Sequence, residues 1–358
     1  MTGETNSVRL HTKPHIAILD GLRGVAALAI VLFHFMEWVY TDPSLNFIAH
    51  GFLAVDFFFC LSGFVIGYAY DDRIRRVGRA AFFRIRLIRL HPLVVFGSVL
   101  GLLAFLFDPF AAQSGLVSRA TLVLTFICSL FLIPLPIIKE RAFNLFSFNA
   151  PAWSLFWEYV ANIVYALVLY RISRRYLSVL IVVAAVLLGW VSYRAGNLLG
   201  GWAGSNVWDG GARIAYSFLV GLFIYRANWT LKNNLGFVGL AGLLLLAFLM
   251  PYSRWNWVVE PALVLLYFPI LIAAGAGGGP VPARVDNLCR FLGRLSYPLY
   301  MTHYAVMWIF GNYLASHKPG HLQLSLIVVG GVILLGVFAY LVQVIYDEPI
   351  RRYLAGRR

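Results

Sequence analysis

Charge is scarce in this chain. Only 12% of its 358 residues are Asp, Glu, Lys or Arg, where a soluble domain carries roughly 25%. With 61% hydrophobic residues, such a chain cannot cover a water-facing surface, and this excludes an ordinary soluble enzyme. Acid is scarcer than base: 15 Asp and Glu stand against 29 Lys and Arg, a net charge of +14. Cysteine is nearly absent. Cys60, Cys128 and Cys289 are odd in number and far apart, which fits neither a disulfide framework nor a CxxC metal site. They read as small apolar helix residues, and no metal site is expected. Repeats, low-complexity stretches and clear linkers are lacking. Residues 1–15 are polar, and the apolar stretch after them is long enough to span and has no cleavage site, so no cleavable leader is expected.

Long apolar runs are what the chain does have. They lie near 16–39, 50–70, 91–107, 120–138, 153–170, 177–193, 211–226, 235–250, 258–275, 297–313 and 323–346. If the N-terminus is cytoplasmic, 21 of the 29 basic residues fall in cytoplasmic segments, among them seven Arg between Arg73 and Arg89. The positive-inside rule then fixes orientation, and the basicity needs no nucleic-acid partner. Eleven full crossings would put the two basic termini on opposite sides. Stretch 120–138 resolves the conflict, because it runs into Pro134 and Pro136 and is followed by Lys139 and Arg141. The expectation is an all-α polytopic membrane protein with about ten transmembrane helices plus one re-entrant or partial helix. The partial helix would wall a cavity, since irregular backbone at membrane depth must be buried in protein or line one. Residues 1–15 would be a cytoplasmic segment, 16–350 one membrane domain and 351–358 a basic cytoplasmic tail.

Ionisable residues inside apolar helices are costly and mark functional sites. Arg23 and His34 are eleven residues apart in the first stretch. At about 100° per residue they share a helix face, about 16 Å apart along the axis. Histidine is a natural general base near neutral pH, and arginine suits an anionic group. Asp56 in the second stretch reaches about the depth of His34, and could orient it as a carboxylate orients the imidazole in a catalytic triad; a dipole-favoured acid at a helix start is the plainer reading. Ser62-Gly63 is read as a place of close helix packing. Arg86 and Arg89 share a face and suit a phosphate clamp at the inner surface, with coenzyme A a fitting ligand. Arg84 is grouped with them as a donor contact, although it projects elsewhere. Trp153, Ser154 and Glu158 open the fifth apolar stretch, with Ser154 and Glu158 on one face. The tryptophans alone read as an aromatic belt; Glu158 needs a partner. Tyr297, Tyr300 and His303 step by three along one side and could line a cytoplasmic channel, although taken singly they read as packing residues.

Together these residues resemble the membrane acyltransferase-3 family. The R/K-x10-H pattern falls on Arg23 and His34. Its Gly-Val-Asp-x-Phe-Phe-x-x-Ser-Gly-Phe pattern appears with Ala54 in place of the first Gly. RxxR before a proline falls on Arg86, Arg89 and Pro92. Trp-Ser-Leu-x-x-Glu falls on Trp153, Ser154, Leu155 and Glu158, and Ser-Tyr-x-x-Tyr-x-x-His on Ser296, Tyr297, Tyr300 and His303. The match runs over roughly residues 16–350, in the standalone form without a fused SGNH domain.

The resemblance implies an acyl-CoA-dependent O-acyltransferase in the bacterial cytoplasmic (inner) membrane, both termini cytoplasmic. It implies transfer of an acyl group, commonly acetyl, from acyl-CoA to a hydroxyl of a saccharide or other acceptor, with no tightly bound cofactor. In that scheme Arg86, Arg89, Arg84, Tyr297, Tyr300 and His303 contact acyl-CoA, and Trp153 and Ser154 contact the acceptor. His34 acts as general base or acyl carrier with Arg23, Asp56 and Glu158 around it. A transporter or flippase of a polysaccharide or lipid-linked intermediate is the rival reading, because intramembrane charge also marks translocation paths.

Overall fold

The computed structural model describes residues 15–111 and 117–356. Arg9, Lys13, Arg357 and Arg358, part of the charge asymmetry, lie outside the described residues. Among these residues no strand forms; two isolated bridges are the extent of β pairing. In chain order the helices are α1 (Ala17–Val39), α2 (Ala54–Tyr70), α3 (Ile74–Val77), α4 (Arg79–Leu106), α5 (Arg119–Leu130), α6 (Ala152–Leu167), α7 (Arg174–Ala195), α8 (Val207–Arg226), α9 (Gly236–Phe248), α10 (Asn256–Ala262), α11 (Phe268–Ala276), α12 (Ala283–His317), α13 (His321–Val342) and α14 (Glu348–Gly356). Single π-helical turns, Leu263–Tyr267 and Gln343–Asp347, join α10 to α11 and α13 to α14. The tail expected at 351–358 is thus helical as far as Gly356.

Eight helical stretches among the described residues are long and apolar enough to cross a membrane. The chain is an all-α, multi-pass membrane protein. α12, at 35 residues, is not among them; its first third carries Arg284, Asp286, Arg290 and Arg294, and its apolar part begins at Leu295. α5 has 12 residues, about 18 Å of helix against a hydrocarbon core of about 30 Å. It is therefore a partial helix. The helix ends at Leu130, because Pro134 has no N–H to return to the Leu130 carbonyl and its ring would crowd it, and Leu132 turns left-handed at φ 54°. α9 has 13 residues, about 20 Å, shorter than the apolar run at 235–250 suggests. Its chain leaves the helix at Leu249, just before Pro251.

Small residues set the closest helix contacts, as expected where lipid and side chains are equally apolar. α1 lies along α12, with Gly24 against Leu292 and Gly293 against Asp20. α2 lies along α8, with Gly63 facing the Phe218 backbone and Gly221 facing that of Cys60. A Cβ at either glycine would strike the partner's main chain, so α2 and α8 stay together only with hydrogen there. Three polar pairs among the described residues fasten the bundle, two of them buried and that of Arg226 with Asp71 part-buried. Arg213 grips Asp56 with two bonds, Nε to Oδ1 at 3.0 Å and a terminal nitrogen to Oδ2 at 2.6 Å. His50 Nε2 stands 3.4 Å from Glu260. Arg226 holds Asp71 at 2.6 Å and 2.8 Å. Pro92 interrupts the α4 ladder, and the hydroxyls of Tyr297 and Tyr346 donate to the Leu90 and Pro92 carbonyls beside it.

Candidate active site

A cavity of about 440 Å³ opens between α1, α2, α4, α6, α12 and the α13–α14 junction. Five arginines line it: Arg23, Arg86, Arg89, Arg294 and Arg351. Two acids, Glu158 and Asp347, share the wall. Arg89 and Arg294 are exposed, and neither side chain hydrogen-bonds another described residue. Arg86 is buried and donates to Glu158 at 2.6 Å. Ser62 donates to the same Glu158 oxygen at 3.1 Å, its position set by the α2–α8 glycine contact one residue on. Arg23 donates to Ser296 Oγ, to the Gly293 carbonyl and to Asp20 Oδ1. It therefore ties α1 to α12 while facing the cavity. Asp347 sits on the π-turn, a backbone irregularity common at functional sites. Its Oδ2 is 3.1 Å from Arg351, and its buried Oδ1 has no partner among the described residues.

The far end of the cavity is closed by Tyr300, Phe58 and Ser154. The Tyr300 and Ser154 hydroxyls are 2.7 Å apart, and Phe58 packs edge-on against the Tyr300 ring. One turn along α12 lies His303, its ring 5.9 Å from that of Tyr300. His303 stacks on His34 with ring centroids 5.2 Å apart and planes at 26°. Both Nδ1 atoms are engaged: that of His34 with Glu37 Oε1 at 2.6 Å, and that of His303 with the Leu299 carbonyl at 3.1 Å. His303 Nε2 is buried without a partner. The arrangement is a cationic chamber, a tyrosine barrier and a pair of stacked imidazoles, one of them backed by a carboxylate.

The acyltransferase domain family matches residues 16–343. The chain belongs to this acyltransferase family. A protein described as "Protein 2 in picA locus" from Rhizobium radiobacter is 35% identical over 182 residues, covering 48% of this chain and 91% of the relative. No solved structure matches the chain. The protein is accordingly a membrane acyltransferase, and the site can be read for that class of reaction.

The acyltransferase brings Arg23, Arg86, Arg89, Glu158, Ser154, Tyr297 and Tyr300 to one cavity. His34 and His303 adjoin each other beyond Tyr300 and do not line it. Three sequence readings need correction. Asp56 does not orient His34, because Arg213 claims both of its oxygens at complete burial. Glu158 does not orient it either, since Arg86 and Ser62 hold it on the cavity wall. Arg84 is outside the cavity and donates to the Leu354 carbonyl at 3.3 Å. Trp153 is buried beneath the Arg213 guanidinium, 5.2 Å from its ring, and Ser154 faces the arginine chamber. Neither presents itself on the His34 side.

Glu37 was the carboxylate missed. Its signal is plain in the sequence: three residues beyond His34 on a helix is contact distance. Arg213 carried the same signal as Arg23, a charge inside an apolar run. Asp347 lay in a Tyr-Asp-Glu-Pro cluster that reads as a helix end, and no spacing rule ties it to Arg89 or Arg351.

Proposed function

We propose that this acyltransferase moves an acyl group, acetyl in the simplest case, from acyl-CoA to a hydroxyl of a saccharide acceptor, with His34 as general base. The observation that carries the reading is the arginine-lined cavity ending one tyrosine ring short of the paired imidazoles. Coenzyme A bears three phosphate groups, and arginine forks match phosphate oxygens. Arg89 and Arg294, which hydrogen-bond no other described residue, suit the phosphates; Arg23 and Arg86 line the same cavity while held by protein partners. The arginine end faces the cytoplasm, where acyl-CoA is held, in keeping with the basic loops and with cytoplasmic termini in a bacterial inner membrane.

The chemistry follows from the tautomer that the contacts favour. With Nδ1–H given to Glu37, His34 keeps a lone pair on Nε2. That nitrogen takes the proton of the acceptor hydroxyl as its oxygen attacks the thioester carbonyl. A C–O bond forms, the C–S bond breaks, and the proton on His34 passes to the leaving thiolate. Glu37 stabilises the imidazolium in between. Tyr300 must swing aside for the thioester to reach the imidazoles, so the barrier also keeps the acyl group from water until an acceptor is bound. Membranes from cells making the protein test this reading with acetyl-CoA labelled in the acetyl group. Label should pass to a saccharide fraction and be released from it by mild base as acetate, as an ester linkage requires. Absence of donor-dependent label above membranes lacking the protein refutes it.

A further inference from the structure

On the His34 side of the Tyr300 barrier, one buried cation makes no ion pair with another described residue. Arg141 sits in the loop between α5 and α6 and is 6% exposed. Its guanidinium lies 4.3 Å from the Trp308 ring centroid and 5.0 Å from that of Phe105. Its side chain makes no hydrogen bond or ion pair with another described residue. Asp108 is close enough to be felt electrostatically, but its oxygens accept from the Phe110 amide and the Asn312 amide group. Burying a charge without pairing is costly, and two aromatic faces offset only part of that. Two further donors nearby are unmatched: the indole N–H groups of Trp38 and Trp308 are buried with no acceptor.

This cluster adjoins the reacting groups. Trp308 packs on Tyr304 at 5.7 Å, and Tyr304 packs on His34 at 4.9 Å. Trp38, one helical turn beyond His34, meets Trp308 at 5.5 Å. The loop that delivers Arg141 is fixed in place. Ala142 and Phe143 hold left-handed φ values of 53° and 50°, a conformation that costs non-glycine residues energy. Backbone bonds from Leu145 to Trp202 and from Gly204 to Phe143 pin the loop to the chain before α8.

We propose that Arg141, seated on Trp308 beside Trp38, binds an oxyanion of the acceptor, so that the acceptor is an acidic saccharide carrying a carboxylate or a phosphate. The guanidinium fork suits either anion. The placement of that sugar's hydroxyl at His34 rests on the proposed function; the anion preference does not.

The full-length protein in phosphatidylcholine nanodiscs tests it by calorimetry. The uronate arm compares trigalacturonate with its carboxyl-reduced counterpart, and the phosphate arm compares phosphorylated maltotriose with maltotriose. At least one charged probe should bind about tenfold or more tighter than its neutral partner, as a charge-assisted pair implies, and the arm that responds names the anion. R141Q should lose that preference while binding acetyl-CoA as before, and R141K should recover part of it. H34Q should keep the preference while transfer falls by about 100-fold or more, which separates failure of this site from failure of the transfer reading. Equal binding of charged and neutral probes by the unaltered protein overturns the proposal, whatever the variants do. A preference that survives in R141Q overturns it too.

Discussion

Glu37→Gln isolates the carboxylate behind His34. The amide keeps the size and a hydrogen-bond acceptor but removes the charge 2.6 Å from Nδ1. A hydrogen bond to a charged group contributes about 1.5–3 kcal/mol net. The Glu37 side chain is 31% exposed and that of His34 15%, so water screens part of the interaction and about 1.5 kcal/mol is the fitting value. Since 1.36 kcal/mol is a factor of ten in rate, kcat should fall about tenfold. Glu37 lies outside the arginine cavity, so KM for acetyl-CoA should stay within about twofold and the melting temperature should hold. The assay is initial-rate transfer of labelled acetyl by the purified protein, with the donor varied at fixed acceptor. An unchanged kcat refutes the positioning role. A raised KM with unchanged kcat refutes it as well, because Glu37 would then belong to the donor site.

Arg89→Ala removes an exposed cavity arginine that no described residue engages. If it meets a CoA phosphate, its loss should raise KM for acyl-CoA about tenfold or more and leave the melting temperature in place; an unchanged KM assigns Arg89 to membrane topology alone. Asp56→Asn leaves Arg213 buried without its counter-ion, which costs about 3–5 kcal/mol. The detergent-solubilised variant should therefore melt well below the parent, and an inactive variant with the parent's melting temperature would return Asp56 to the chemistry.

What could be read from the sequence was whatever depends on local spacing and composition. Arg23, Arg86, Glu158 and Tyr300 stood out as charges or hydroxyls in apolar surroundings, and they do meet at one cavity. Pro134 and Pro136 announced the early end of α5. What could not be read was pairing across the chain. Asp56 and Arg213 are 157 residues apart, and nothing in either segment says that α2 and α8 interlock through Gly63 and Gly221. Once that contact is made, Asp56 belongs to Arg213, and the nearest carboxylate left for His34 is the one on its own helix. The barrier at Tyr300 was hidden for the same reason: it needs α2, α6 and α12 side by side to bring Phe58, Ser154 and Tyr300 into contact.

The central claim is that the arginine cavity holds the donor and His34, outside it, performs the transfer. His34→Gln tests both halves in one preparation, with acetyl-CoA binding and acetyl transfer measured side by side. Donor affinity should stay within about twofold of the parent protein and transfer should fall by about 100-fold or more, the scale of general-base catalysis. Transfer near the parent's rate, or loss of donor binding in step with loss of transfer, would contradict it.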